Sequence, residues 1–176
     1  MSPKSALTAT ILGAALLGMS SAGAQSPPPN PLDNVPEKMP FDIPYGAPIS
    51  LDRAEAAIAA TVAEAKKRDW KLNVAVVDSG GNLVAFQRMD GSQIASIQIS
   101  EHKARASAQF RRETKVFESG IQLNNFNYLI TLDGVIASRG GIPLVEGGKI
   151  VGAIGCSGGT GSQDEVTCKV GAATVK

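Results

Sequence analysis

From position 50 onward the hydrophobic positions change period four times, and each change marks a passage between helix and strand. Leu51, Ala54, Ile58, Val62 and Ala65 recur at steps of three and four, which predicts an amphipathic helix over Leu51–Arg68. Ser50 stands before it as an N-cap, and Lys66, Lys67 and Arg68 suit the negative end of the helix dipole. The period then shortens. Leu72–Val77 and Leu83–Met89 read as strands, with Val74 and Val76 on one face and Leu83, Ala85 and Gln87 alternating with Val84, Phe86 and Arg88. Between them, Asp78-Ser79-Gly80-Gly81-Asn82 supplies hairpin chemistry, because glycine accepts positive φ.

A second helix is predicted from about Gln93 to Phe110, with Ala95, Ile99, His102, Ala106 and Phe110 on one face. Beside that face run Ala104, Ser107 and Ala108, small enough to let the helix lie close against a sheet or a partner helix. A short helical turn follows at Thr114–Ser119, stopped by Gly120, and the asparagines of Ile121–Asp133 mark a loop or broken helix. Ile142–Val145 and Lys149–Cys156 form a second hairpin around Glu146-Gly147-Gly148. The last helix starts near Ser162, with Ser162 and Glu165 as a capping box and Val166, Val170 and Ala173 as its apolar side. Two hairpins, each running through a loop into a helix, predict an α+β fold: a central antiparallel sheet covered by helices.

The first fifty residues read differently. Lys4 followed by the uncharged run Ala6–Met19 and the small-x-small triplet Ala22-Gly23-Ala24 has the form of a secretory leader, with cleavage expected after Ala24. The mature protein would then be periplasmic or secreted and would lack a stable membrane span. Ser26–Pro48 holds eight of the ten prolines, so it is neither helix nor central strand. Its apolar residues, Leu32, Val35, Met39, Phe41, Ile43 and Tyr45, suggest an arm that packs on its own domain or on a neighbouring subunit. The organisation expected is a leader over 1–24, an arm over 25–49 and a domain over 50–176.

Charge excludes one class of partner. Lysine and arginine number 17 against 16 acidic residues, and aromatics make up 5% of the chain, so neither a basic surface nor a stacking platform for nucleic acid is indicated. The two cysteines, Cys156 and Cys168, would be either a disulfide, which an exported chain permits, or two buried thiols. No C-x-x-C-H occurs, which excludes covalent haem attachment of the c type. With one histidine and no G-x-S-x-G, an acyl-transfer enzyme is disfavoured.

Four blocks carry a family resemblance: YGAPISLDRA at 45–54, VAVVDSGGNLVAFQRMDGS at 74–92, HKARASAQF at 102–110, and GGIPLVEGGKIVGAIGCSGGTGSQDE at 140–165. In this order they resemble the GlcG/HbpS family of small haem-binding-like proteins, related to the C-terminal domain of PduO-type proteins. The resemblance implies a profilin-like three-layer α/β/α domain, homo-oligomerisation and non-covalent haem binding. It also implies that Thr114, which follows the HKARASAQF helix, stands where the family's axial threonine falls.

The candidate site therefore comprises Thr114 and His102 as possible haem-iron ligands, with Lys103, Arg105, Arg111 and Arg112 (and Lys115 beside them) as partners for propionates or another anion. For His102 the competing reading is a hydrogen-bonded structural histidine, and for the cations a solvated helix end. The glycine loop Gly155–Gly161 could cradle an anion at a helix N-terminus. Asp164 and Glu165 already place negative charge there, which favours reading the loop as tight packing. Two other functions stay open: an enzyme or accessory domain for a carboxylate or corrinoid-related molecule, anchored by Lys103, Arg105 and the glycine loop, and an oligomeric scaffold joined through the arm.

Overall fold

The computed structural model describes residues 28–176; the expected leader and its cleavage site lie outside them. Two units are distinguished. Of the first, ending at Asn34, the described part is a short 3-10 turn, Pro31–Asp33, whose start is capped by the Asn30 side chain accepting from the Leu32 amide at 3.1 Å. The second runs from Val35 to Lys176 and carries the rest of the structure.

Its elements follow the predicted order: α1 (Leu51–Lys67), β1 (Asn73–Asp78), β2 (Leu83–Arg88), α2 (Ser96–Gln109), α3 (Lys115–Asn124), a 3-10 turn (Asn127–Thr131), β3 (Gly141–Glu146), β4 (Lys149–Ser157) and α4 (Gly161–Ala172). The four strands pair antiparallel in the order β2-β1-β4-β3. One sheet face, with Val74, Val76, Ile154 and Cys156, packs on α1 and α4; the other, with Ala75, Val77 and Ala153, lies under α2. This is the three-layer α/β/α arrangement the sequence predicts. Among the described residues no helix is long and apolar enough to cross a membrane.

The α2 layer is set by small residues on both sides. The stripe it turns to the sheet is Ser96, Ser100, Lys103, Ala104, Ser107 and Ala108. In the neighbouring row Ala106 is fully buried with Phe117 and Leu129, whereas Ile99, His102 and Phe110 are only partly buried; the small row is the one that approaches the sheet, as its size allows. The physical reason lies in β4: a Cβ at Gly155 would strike the Ser100 carbonyl and the Ala104 amide, so backbone approaches backbone and nothing bulky fits between.

Three corrections concern local signals. Gly120 does not stop α3, which continues to Asn124 and ends at Asn125 in the left-handed region (φ 55°). Gly120 is instead a packing position, where a Cβ would come within 2.8 Å of Leu129 Cδ1. The capping box of α4 is formed by Thr160 and Gln163, two residues earlier than Ser162 and Glu165. Gln163 Oε1 accepts from the Thr160 amide at 2.8 Å, and Thr160 Oγ1 accepts from the Gln163 amide at 3.3 Å. Finally, Val166 and Val170 are exposed while Asp164, Thr167, Cys168 and Gly171 are buried. The inner side of α4 is specified by a disulfide, a buried ion pair and a close helix contact rather than by an apolar stripe. A Cβ at Gly171 would collide with Thr61 on α1.

The cysteine alternative is resolved as a disulfide: Cys156 at the end of β4 and Cys168 in α4 are joined, with Cα atoms 5.8 Å apart and both side chains fully buried. Closing so short a loop stabilises a fold by about 3 kcal/mol in the chain-entropy account.

Candidate functional site

The connection between α2 and α3 is where the candidate residues gather. Arg111 adopts φ 55° and turns the chain off the end of α2. Thr114 then fixes the turn. It is fully buried; its amide donates to the Gly141 carbonyl at 3.1 Å, its hydroxyl donates to the Ser138 carbonyl at 2.7 Å and accepts from the Gly141 amide at 3.0 Å. The turn is thereby stitched to the start of β3, and a Cβ on Gly141 would press on the Lys103 carbonyl and on Thr114 Cγ2.

Outside this turn the arm runs past as a strap. The Ile150 amide donates to the Pro44 carbonyl at 2.8 Å, and the Gly46 and Ile49 amides donate to β4 carbonyls at 2.7 and 2.8 Å. Tyr45 donates its hydroxyl to the Gln109 carbonyl at 2.8 Å. Strap, turn, α3 and β3 enclose a groove of about 560 Å³ whose apolar walls are Phe41, Ile43, Val116, Ile142, Pro143 and Val145. That volume lies within the ~300–1,000 Å³ usual for small-molecule sites.

The cations of this groove differ in their freedom. Arg111 is 3.7 Å from the Asp42 carboxylate, and Lys115 donates to Glu165 at 3.3 Å. Arg112 has no carboxylate partner among the described residues. Its Nε donates to the Phe110 carbonyl at 2.9 Å, and its guanidinium lies 3.5 Å over the Phe41 ring and 5.6 Å from the Phe117 ring. Burial pushes its pKa below the usual arginine value; Tyr128 opposes the shift and nearby Arg111 reinforces it. The result is a charged plane held between two aromatic rings, with its terminal nitrogens unengaged. Such cation–π contacts contribute roughly 0.5–2 kcal/mol each.

The remaining candidates lie elsewhere. His102 and Arg105 line a second concavity of about 510 Å³ with Gln98, Glu101, Gln109 and Gly134. There the half-buried His102 places Nε2 3.2 Å from the Gly134 carbonyl, and Arg105 pairs with Glu101 at 2.7 Å. Lys103 points the other way, into the protein. It is 1% exposed, and its ammonium donates to Asp164 Oδ2 at 2.8 Å and to the Cys156 carbonyl at 3.1 Å. Burial pushes the Asp164 carboxyl up, against the pull of Lys103. The glycine loop is likewise occupied internally, the Gly159 amide donating to Asp164 Oδ1 at 3.0 Å.

Sequence reasoning thus drew together residues that the structure divides among a groove, a second concavity and the interior. It missed the groove's other wall, Phe41 and Ile43 on the strap. The aromatic-and-proline run FDIPYGAP was the available signal. Among the described residues no three histidine, cysteine, aspartate or glutamate side chains gather as a metal-binding group.

Comparison with known proteins places this geometry. Residues 49–173 match the family model described as haem degrading protein HbpS-like. Protein GlcG of Escherichia coli K12 is 41% identical over 109 residues, spanning 62% of this chain and 81% of GlcG. A double mutant of Streptomyces reticuli HbpS superposes with a TM-score of 0.69 at 26% identity, over 81% of this chain and 97% of that one. The structure of a PduOC–heme complex shares the fold at 21% identity, with a TM-score of 0.66 over 74% and 96% of the two chains.

Proposed function

The chain belongs to the HbpS-like family, and on that footing we propose that it is an exported, oligomeric binding protein that holds haem or a related tetrapyrrole without a covalent link. The observation that carries this reading is Arg112, a guanidinium without a carboxylate partner among the described residues, set between Phe41 and Phe117 in the lining of an apolar groove. A tetrapyrrole offers a wide hydrocarbon body and propionate groups. The body would lie against Ile43, Val116, Ile142 and Val145, and a carboxylate would take the Arg112 fork, with Arg111 and Lys115 adding positive potential at the rim. Haem, when bound, would supply redox-active iron to the site.

Export is supported by the leader-like segment at 1–24 and by the buried disulfide, which suits an oxidising compartment. Self-association is supported by apolar side chains that α3 and the following turn leave to solvent, with Leu123 77% and Ile130 73% exposed.

Titration of the purified protein with haemin, followed at the Soret band, tests the reading. A saturable shift is expected, weakened about 10- to 100-fold by Arg112→Ala, the range set by one lost charge-assisted hydrogen-bonding pair. An unshifted band, or an Arg112→Ala protein that binds as the wild type does, would overturn it.

A further inference from the structure

The groove recognises acid and hydrocarbon, and its donor set has no evident place for iron. Haem iron is ordinarily held by histidine, cysteine, methionine or tyrosine, and none of these lines the groove. The two cysteines are joined to each other. His102 lies in the second concavity. Tyr45 gives its hydroxyl to the Gln109 carbonyl. Met39, two residues ahead of Phe41, projects into solvent at 72% exposure.

Thr114 stands nearest to the family's expectation and is the most constrained. A hydroxyl has one donor and two acceptor positions. Here the donor serves Ser138, one acceptor position serves Gly141, and the side chain has no exposed surface. The remaining acceptor position has no exposed surface to offer a metal, and turning the oxygen outward would break its bonds to the buried Gly141 amide and the partly buried Ser138 carbonyl. The groove's carboxylates are engaged as well, Glu113 with Lys169 at 3.1 Å and Asp42 with Arg111.

Arg112, by contrast, lines the groove with no carboxylate partner among the described residues. Its terminal nitrogens make no hydrogen bond, and they are not among the buried atoms left without a partner, a set that contains only Ser107 Oγ among the described residues. They are therefore accessible. A planar fork beside an apolar wall selects a carboxylate attached to a broad apolar body, whether or not a metal sits at its centre.

We infer that this groove binds its ligand independently of iron, so that metal-free tetrapyrrole dicarboxylates are bound as tightly as their iron complexes. The inference rests on the tetrapyrrole reading above and specifies which part of the ligand is read.

The full chain would be titrated in parallel with haemin, metal-free protoporphyrin IX and the dimethyl ester of that porphyrin, using calorimetry and, for the metal-free compounds, porphyrin fluorescence. Haemin and the free porphyrin are expected to agree within about threefold. Esterification is expected to weaken binding at least tenfold. Arg112→Gln should weaken both acids by a similar factor, while His102→Ala and Met39→Ala should leave the two affinities equal and the haemin Soret band unchanged.

Haemin binding more than tenfold tighter than the free porphyrin, or a Soret band altered by His102→Ala or Met39→Ala, would overturn the inference and leave the haem-binding reading standing. Failure of both acids to bind would overturn that reading, and the inference with it. Neither arm depends on a Thr114 variant, whose fold would be compromised.

Discussion

The two concavities beside α2 are of similar volume, about 510 and 560 Å³, and each contains arginine, yet they are chemically unlike. In the first, the guanidinium of Arg105 already faces Glu101 one turn away, and the lining is largely amide and charged side chains. In the second, hydrocarbon walls from three separate segments meet a guanidinium with no acidic partner among the described residues. A cation beside its own carboxylate has little to offer an incoming anion, since exposed pairs of that kind already satisfy each other at about 0–1 kcal/mol. An unpaired cation on a desolvated wall has both its charge and its donors available. Counting basic residues in HKARASAQFRR therefore could not separate the two concavities; their pairing does.

The sharpest way to break the comparison removes the frame both concavities share. Lys103 and Asp164 are 1% and 3% exposed. Lys103→Met leaves a buried carboxylate unpaired, for which the expected loss is about 3–5 kcal/mol and a fall in melting temperature of roughly 6–20 °C. Thermal unfolding by circular dichroism measures it. The double variant Lys103→Met with Asp164→Leu should recover much of the loss; if it melts no higher than the single variant, the pair is not what holds α2 to α4.

The next largest contrast is between the two arginines. Arg112→Ala is expected to cost about 1.5–3 kcal/mol of binding energy for a carboxylate ligand, whereas Arg105→Ala should change affinity less than about twofold. Equal losses from the two would erase the distinction drawn here.

A smaller effect concerns the ion network that Lys115 of the groove shares with Glu165, Arg139 and Glu118. The Arg139 hydrogen bond holds the Glu118 carboxyl below the usual carboxylate range. Glu165 is also held low: burial pushes it up, but its bonds to Lys169 and Lys115 prevail. Both folded values lie below the unfolded one, so their contribution is complete above pH about 4.5 and is lost as pH falls through the folded values. Denaturant midpoints measured from pH 7 to 3 should fall along that course, and Glu118→Gln should reduce the fall by about 1 kcal/mol. A midpoint independent of pH would remove the network from the account.

The least effect expected is from Tyr45→Phe, which deletes one hydroxyl bond of the strap. A loss of about 0.5–1.5 kcal/mol in stability and a few-fold weaker binding in the groove, with no change at Arg105, would tie the strap to one concavity and not the other.

What was legible in the sequence follows from these contrasts. Period and turn chemistry placed the four strands and the helices α1, α2 and α4 close to their observed spans, because Val74, Val76 and the glycine turns act locally; α3 runs five residues past its expected end. The inner side of α4 was not legible: Asp164 is buried by Lys103, a residue 61 positions away, and no local pattern announces such a pair. The small row of α2 was legible as a surface for close approach, but how close was not, because Gly141 and Gly155, on other strands, decide what size of side chain fits beneath it. Thr114 was picked out by resemblance, and the structure puts it in the wall behind the groove rather than on its surface. Arg112 was named among several cations; only the positions of Asp42, Glu101 and Glu165 distinguish it from its neighbours.

The strap also bears on timing. Pro40, Pro44 and Pro48 bracket Phe41 and Tyr45, so this stretch of backbone has few conformations to give up, and its bonds to β4 already hold it in place. A ligand entering the groove meets a wall that is standing before it arrives. Association would then be governed by diffusion and by shedding of water, with no slow ordering step, and a single exponential whose rate rises linearly with ligand concentration is the kinetic form this stiffness implies.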